Sequence, residues 1–505
     1  MQIDPLTHAR RWKILFTLSL SLLMVSMDVT ILHTAMPKII SDLQPNALQQ
    51  LWIVNAYALI LAGLLITTGA WGDRTGRKRL LNLGLIIFML ASFSAAFINQ
   101  PWSLAICRAF LGVGGAMIMP STLSLLRNVF IDPHERTTAI ALWGIMASLG
   151  ATIGPVLGGI LIEFFDWHAA FLINIPFALL ALLLGVKLLP ESFTPSQAPW
   201  DWLGVGQSFI GMAALVQGIK LLGKLGFLSW QTIGFLFCGI IFLAFFITRQ
   251  CQLKDPLIDA KLFKNSAFST GILIYLLATC ALGSVLYLIS QWFQFVKEMR
   301  PLEAGLWLMP ATLSGLLTGF IIPIILKHFS ARNIMVLGLF FISFSLLVPS
   351  LLPTVTLFFT AIYLALMGIG VNLTLSTAVA VVMSRVPPER AGGAAAIQET
   401  AFELGNVLGI AVIGSLTAAL YRKALIIPEE ISSKIADIAK SSIGESTIVA
   451  QNLPPQLGKT LQQAANTAFD YAFGISGIIL GAILLLAGIA ILFLLPSFKA
   501  SSAHH

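Results

Sequence analysis

Long apolar stretches separated by short polar breaks set the pattern of this chain. The stretches run to about twenty residues, enough at 1.5 Å per residue for a helix to cross a hydrocarbon core of about 30 Å. They lack the apolar–polar alternation, over roughly ten residues, of barrel strands. Divided at its polar breaks, the sequence predicts fourteen spanning helices near 13–36, 49–70, 80–98, 102–124, 137–161, 170–190, 202–222, 230–249, 268–292, 303–326, 332–351, 356–382, 391–420 and 471–496. The first run is too long for a signal peptide and has no small-residue cleavage site, so it is read as a retained helix. One sizeable polar segment remains, 421–470. There Pro428-Glu429-Glu430 precedes Ile431, Ile435 and Ile438, which share one helical face, and Pro454-Pro455 breaks the chain before a second helix at 456–468. A small helical hairpin outside the membrane is expected.

Composition agrees with that pattern. Of 505 residues 57% are apolar and 10% charged, where a soluble chain carries about 25% charged residues. This excludes a soluble protein and leaves an all-α polytopic membrane protein. The net charge of +8 would suggest a nucleic-acid partner but for its placement. With the amino terminus inside, nineteen Lys and Arg fall in short cytoplasmic loops and tails, five in short outer loops and five in the long 421–470 loop; Arg108 is the remaining one. That bias predicts both termini in the cytoplasm and membrane lipid, not nucleic acid, as the surroundings. Cys107, Cys238, Cys251 and Cys280 lie in or beside apolar runs without ligand spacing, so neither disulfide nor metal is expected.

The halves repeat. Pro133-His-Glu135-Arg136 matches Pro387-Pro-Glu389-Arg390, Gly112-Val-Gly114 matches Gly368-Ile-Gly370, and the basic loop after span 2 falls opposite 327–332. Spans 1–6 then correspond to 9–14, with 7 and 8 inserted. The domains read as 1–190, a six-helix bundle; 191–267, the inserted pair; and 268–505, a second six-helix bundle carrying the 421–470 loop. Two parallel halves around a midplane site is a build of secondary transporters.

Four charges sit within apolar segments: Asp28, Arg108, Glu399 and Glu403. Each ionisable group there costs roughly 2.5–3.5 kcal/mol on insertion scales, which marks an ion pathway, a proton relay or a cationic ligand. At about 1.5 Å per residue, Asp28 lies roughly 22 Å and Glu403 roughly 20 Å from the cytoplasmic ends of their helices, with Arg108 and Asn55 near that level. Glu399 is one turn from Glu403 on the same face, and two such carboxylates disfavour ionising together. Arg108 is placed to orient Asp28. Trp52, Tyr57, Trp143, Trp292, Trp307 and Phe402 are candidate cation–π walls, although belt and packing roles also suit them; His33 reads as a polar interface residue or a proton relay.

Gly69-Ala-Trp-Gly72-Asp73-Arg74-Thr-Gly76-Arg77-Lys78-Arg79 resembles the signature loop of the major facilitator superfamily. Arg108-Ala-Phe-Leu-Gly112-Val-Gly114 and Gly150-Ala-Thr-Ile-Gly154-Pro155-Val-Leu-Gly158-Gly159 resemble its arginine and antiporter motifs. Met27-Asp28-Val-Thr30, Leu51-Trp52-Ile-Val-Asn55-Ala-Tyr57, Trp167-His168 through Pro176, Ala304-Gly305-Leu-Trp307 and Gln398-Glu399-Thr-Ala-Phe402-Glu403 extend the resemblance to the fourteen-span drug:proton antiporter branch, of the QacA-like and SmvA-like kind. The resemblance implies a monomeric, proton-driven exporter of lipophilic cations (quaternary ammonium compounds, cationic dyes, biguanide antiseptics) in a bacterial inner membrane, with no cofactor beyond the proton gradient. It implies proton coupling at Asp28, Arg108 and Glu399, substrate contact at Glu403, Asn55, Tyr57, Trp52, Trp307 and Phe402, and conformational switching at Asp73, Arg74, Gly76, Arg77, Gly154, Pro155 and Gly158. Asn55 and Gln398 are amides where relatives handling dications carry acids, which sets dications apart. An exporter of one metabolite, an amino acid or siderophore, is the alternative. A sensor or channel would not need two matched halves, and no nucleophile–base or metal constellation points to an enzyme.

Overall fold

A computed structural model describes residues 9–191, 201–226, 229–253, 256, 260–351, 356–383, 386 and 391–494. Its α-helices of seven residues or more are α1 Arg11–Leu43, α2 Ala47–Thr75, α3 Arg77–Ala95, α4 Pro101–Val129, α5 Pro133–Phe165, α6 Asn174–Leu188, α7 Trp202–Leu225, α8 Trp230–Gln252, α9 Ser266–Gln291, α10 Pro301–His328, α11 Ala331–Leu351, α12 Leu357–Met383, α13 Ala391–Ala424, α14 Ser433–Ala439, α15 Ile443–Gln451 and α16 Pro455–Leu494. Among the described residues, fourteen helical spans are long and apolar enough to cross a membrane. Helix is what such sequences require, since lipid offers no partner to a free backbone N–H or C=O. With an even number of spans, the chain begins and ends on one face, the terminal face; the opposite one is the far face.

Two prolines show how that requirement is met. The sequence reading stops the first helix before Pro37, yet α1 continues through it to Leu43. Proline has no N–H for the carbonyl four residues back, and that carbonyl, of His33, accepts the Ser290 hydroxyl of α9 at 2.6 Å. In α4 Pro120 likewise frees the carbonyl of Ala116, which accepts the Thr68 hydroxyl of α2 at 2.6 Å. A neighbouring helix supplies each missing donor, so neither proline ends its helix.

The 421–470 segment differs from its expected form. Its first arm is two short helices, α14 and α15, and Ile435 and Ile438 are exposed rather than forming a buried face. Ala439 and Ile443 are buried instead. The second arm is not separate, because nothing between 468 and 471 breaks a helix, and α16 runs unbroken from Pro455 into the membrane.

Packing repeats at a shift of eight membrane spans, which sets α6 opposite α16 because α14 and α15 are not spans. α1 packs on α5, α2 on α4, and α3 on α4 and α6; α9 packs on α13, α10 on α12, and α11 on α12 and α16. The repeat extends to single residues. A Cβ on Gly154 would meet Thr30 and the Met27 carbonyl, and one on Gly405 would meet Thr279 and the Leu276 carbonyl. Gly112 abuts the Tyr57 carbonyl as Gly368 abuts that of Ala311, and Gly114 lies against Phe88 as Gly370 lies against Ile342. The inserted α7 and α8 pack together, clamped where Asp201 accepts Arg249 Nε at 2.7 Å and Gln250 Nε2 at 2.9 Å, and α7 also lies on both α2 and α13.

Between the halves, α5 packs on α10 and α13 on α2, two contacts exchanged by the same pseudo-two-fold. Among the described residues, the bonds joining the halves gather near the far face: Ser290 to His33, Gln294 Nε2 to the Thr34 carbonyl at 3.0 Å, Arg300 to Glu163 at 3.0 Å, and Gln50 to Ser442 at 3.3 Å. Gly159 and Gly305 let the backbones of α5 and α10 touch there, against Leu302 and Pro155 respectively.

Candidate functional site

Asp28 and Arg108 form an ion pair inside the first half, Nη1 to Oδ2 at 2.5 Å, exposed 3% and 1%. α1, α3, α4 and α6 converge on it. Asn174, which opens α6, donates to Asp28 Oδ1 at 2.7 Å and lies 3.0 Å from the Ser92 hydroxyl of α3, which donates to the Phe171 carbonyl. The guanidinium lies 4.7 Å from the centroid of the Tyr57 ring, and its Nε has no hydrogen-bond partner. The pair is shut inside apolar packing, and taking away one member of such a pair exposes the other to an uncompensated burial cost.

A cavity of about 390 Å³ lies between the halves, within the range of small-molecule sites. It extends from His33, Leu286 and Ile410 toward Trp143, Leu316 and Leu375 in the terminal half of the molecule, and the far-face bonds between the halves lie beyond its other end. Arg108, Asn55, Tyr57, Phe402, Glu399 and Glu403 all line it; Asp28 does not, sitting behind Arg108. Glu403 is buried and Glu399 half-buried. Tyr275 adds an aromatic wall, 6.2 Å from the Phe402 ring.

The repeat makes the cavity's asymmetry legible. Counting from Gly154 and Gly405, the α5 positions equivalent to Glu399 and Glu403 are Ser148 and Thr152, and both line the opposite wall. Counting from Thr30 and Gly112, the positions equivalent to Asp28 and Arg108 are Leu277 and Leu364. One half thus holds a caged ion pair, and the other presents two carboxylates to the cavity.

Several expected residues lie elsewhere. Trp52 turns away from the cavity toward α7, where its Nε1 donates to Gln217 at 2.8 Å and the Lys220 ammonium sits 3.9 Å over its ring. Trp307 packs into the main apolar core of α10 and lines no part of the cavity. Trp292 points into a different pocket. Gly154 and Gly158 abut α1 of their own half, against Thr30 and Ile31, rather than the opposite bundle; the seam to the other half is made by Gly159 and by Pro155, whose carbonyl meets Gly305. Gly76, at φ +113°, turns the chain from α2 to α3, and a Cβ there would strike the Glu191 carboxylate. Arg77 is buried with Nη1 3.5 Å from the Pro120 carbonyl. The side chains of Asp73 and Arg74 lie outside the described residues. Asn372, Asn406, Thr312, Ser148 and Thr152 also face the cavity, and uncharged polar residues in an apolar run give only a weak sequence signal.

This arrangement has known counterparts. The Major Facilitator Superfamily model matches residues 18–410. The chain is 37% identical over 488 residues to the multidrug efflux pump LfrA of Mycolicibacterium smegmatis, covering 96% of each. It is 32% identical over 486 residues to the methyl viologen resistance protein SmvA of Salmonella typhimurium, covering 96% of this chain and 98% of that one. In fold it is similar to a bacterial homologue of the human lysosomal transporter Spinster, inward-facing and unoccupied, at a TM-score of 0.65 and 15% identity over 98% of this chain and 100% of that one. A peptide transporter, POT, in complex with sulfate gives 0.64 and 15%, over 96% of each. Fourteen apolar helices in two repeated halves, a cavity between them and these relatives give one conclusion: the chain belongs to the major facilitator superfamily and is a membrane transporter.

Proposed function

We propose that this transporter is a proton-coupled multidrug antiporter that exports monovalent lipophilic cations from a bacterial cytoplasm, working as a monomer in the inner membrane. Quaternary ammonium compounds, cationic dyes and biguanide antiseptics are its expected substrates. The loop charge bias makes the terminal face cytoplasmic, so the conformation described here faces inward.

The observation that carries the reading is the placement of Glu399 and Glu403 on a largely apolar, aromatic-walled cavity shared by both halves. A carboxylate in such surroundings attracts a lipophilic cation through charge, while ring faces and apolar walls accept its hydrocarbon. A proton and a cation compete for the same oxygens, which couples them without any cofactor. From the cytoplasm the cation displaces the proton. After the far face opens, a proton from outside takes the carboxylate and the cation leaves.

Asp28 plays a different part, since Arg108 stands between it and the cavity. A proton on Asp28 removes the counter-charge of Arg108, and the guanidinium then faces the cavity as a net positive charge that repels the cation. Protonation at either station therefore favours release. Equilibrium binding of a quaternary ammonium dye to purified protein tests this reading. Binding that strengthens from about pH 6 to 9 and weakens in Glu403→Gln supports it; affinity indifferent to pH and to both Glu399→Gln and Glu403→Gln refutes it.

A further inference from the structure

The second half contains another cavity, of about 300 Å³, that the mechanism above does not use. It lies among α9, α11, α12 and α16, wholly within one bundle. In the first half the equivalent space is filled by Arg108 and its cage; here the equivalent of Arg108 is Leu364, which lines the pocket floor without filling it. The pocket runs down from the far-face ends of these helices, from Asp470, Trp292 and Lys297 at the rim to Val285 and Met367, with Tyr363 and Phe473 as aromatic walls. At its rim α9 widens into a π turn, Trp292–Val296, a distortion frequent at functional sites.

The rim chemistry is specific. Trp292 Nε1 donates to Asp470 Oδ1 at 2.6 Å, fixing the carboxylate beside the indole. The Lys297 ammonium lies 4.7 Å from the centroid of the same ring. Among the described residues Asp470 has no ion-pair partner, and the Trp292 face beside it already attracts one ammonium, that of Lys297. Few oxygens converge, where a hard metal ion requires about six, and the walls are mainly aromatic and apolar.

We infer that this pocket is a second binding site, for a monovalent organic cation whose charge lies between Asp470 and the Trp292 face in place of the Lys297 ammonium. Because all four helices belong to one half, the site persists whichever way the central cavity faces. It holds a cation at the far face independently of the central carboxylates.

The test is equilibrium binding of ethidium to the full-length protein in detergent, in wild type and in Glu399→Gln/Glu403→Gln. The wild type should saturate at two equivalents and the double variant at one. Adding Asp470→Asn to the double variant should weaken the remaining site about tenfold or more, and Trp292→Phe, which keeps a ring but loses the indole donor, should weaken it less. Lys297→Gln, which vacates the ring, should strengthen it about threefold, a gain that misfolding cannot mimic. Saturation at one equivalent, lost entirely with the glutamates, overturns the second site and leaves the central one standing. One equivalent that survives loss of the glutamates and disappears with Asp470 refutes the central reading instead. Residual binding indifferent to Asp470, Trp292 and Lys297 overturns the inference.

Discussion

Replacing Asp28 by Asn separates what the ion pair does for stability from what it does for transport. Asn keeps the size of Asp but offers one acceptor oxygen in place of two. Both carboxylate oxygens are in use, one by Arg108 at 2.5 Å and one by Asn174 at 2.7 Å. Whichever way the new amide turns, its NH2 faces a donor. One charge-assisted bond, worth roughly 1.5–3 kcal/mol, is lost. The buried guanidinium is left without counter-charge, its Nε already unpartnered and the Tyr57 ring its remaining support. Removing one partner of a buried pair costs about 3–5 kcal/mol in total. Asp28→Asn should therefore lower the apparent thermal midpoint of the detergent-purified protein by several degrees and abolish proton-driven efflux. Asp28→Asn/Arg108→Gln removes the stranded charge and should recover most of that loss, yet transport should stay absent because the proton station of the first half is gone. Coupled efflux that returns with stability in the double variant would refute the assignment of Asp28 to coupling. Wild-type stability in the single variant would refute the cage itself.

Other expectations follow from the same geometry. Glu403→Gln should weaken a quaternary ammonium ligand about tenfold, or ~1.4 kcal/mol, and an uncharged hydrophobic ligand far less, with Glu399→Gln intermediate; equal effects on both ligands in equilibrium binding would make Glu403 a packing residue. Gly305→Leu or Gly159→Leu should hold the far face open and raise substrate leak in vesicles, since a Cβ at either meets backbone of the opposite half; an unaltered leak would place the gate elsewhere. Gly154→Leu should instead lower the yield of folded protein, by driving α1 from α5 within one half. Ser290→Ala leaves the His33 carbonyl without its donor, at about 1–3 kcal/mol, and should lengthen the separation of spin labels on the far-face ends of α5 and α10; an unchanged distance distribution would show that this bond does not hold the gate.

The fourteen helices, their order and the internal repeat are legible in the sequence because lipid imposes one solution, helix, on every apolar run. Boundaries are less so. Pro37 reads as a stop until Ser290 of α9 is seen to cap the freed carbonyl, a contact 257 residues away in the chain. The charged residues Asp28, Arg108, Glu399 and Glu403 stand out by their insertion cost, but cost does not give direction. Which carboxylate faces the cavity and which is screened by Arg108 depends on helix rotation, set by packing among four helices. The same limit explains Trp52 and Trp307: an aromatic on an apolar helix is equally at home on either side, and α7 claims Trp52. It also explains the glycine stripe of α5, whose spacing specifies close packing without naming the partner.

The central claim is an exchange of cation for proton across the membrane. Reconstituted into sealed vesicles, the purified protein should accumulate a fluorescent quaternary ammonium dye against its concentration gradient when the lumen, taken as the outer side, is more acidic. The dye should in turn drive measurable proton exit from the lumen, and both fluxes should vanish in Asp28→Asn and when a protonophore dissipates the gradient. Dye uptake that proceeds undiminished without a pH gradient, with no accompanying proton movement, would contradict the account.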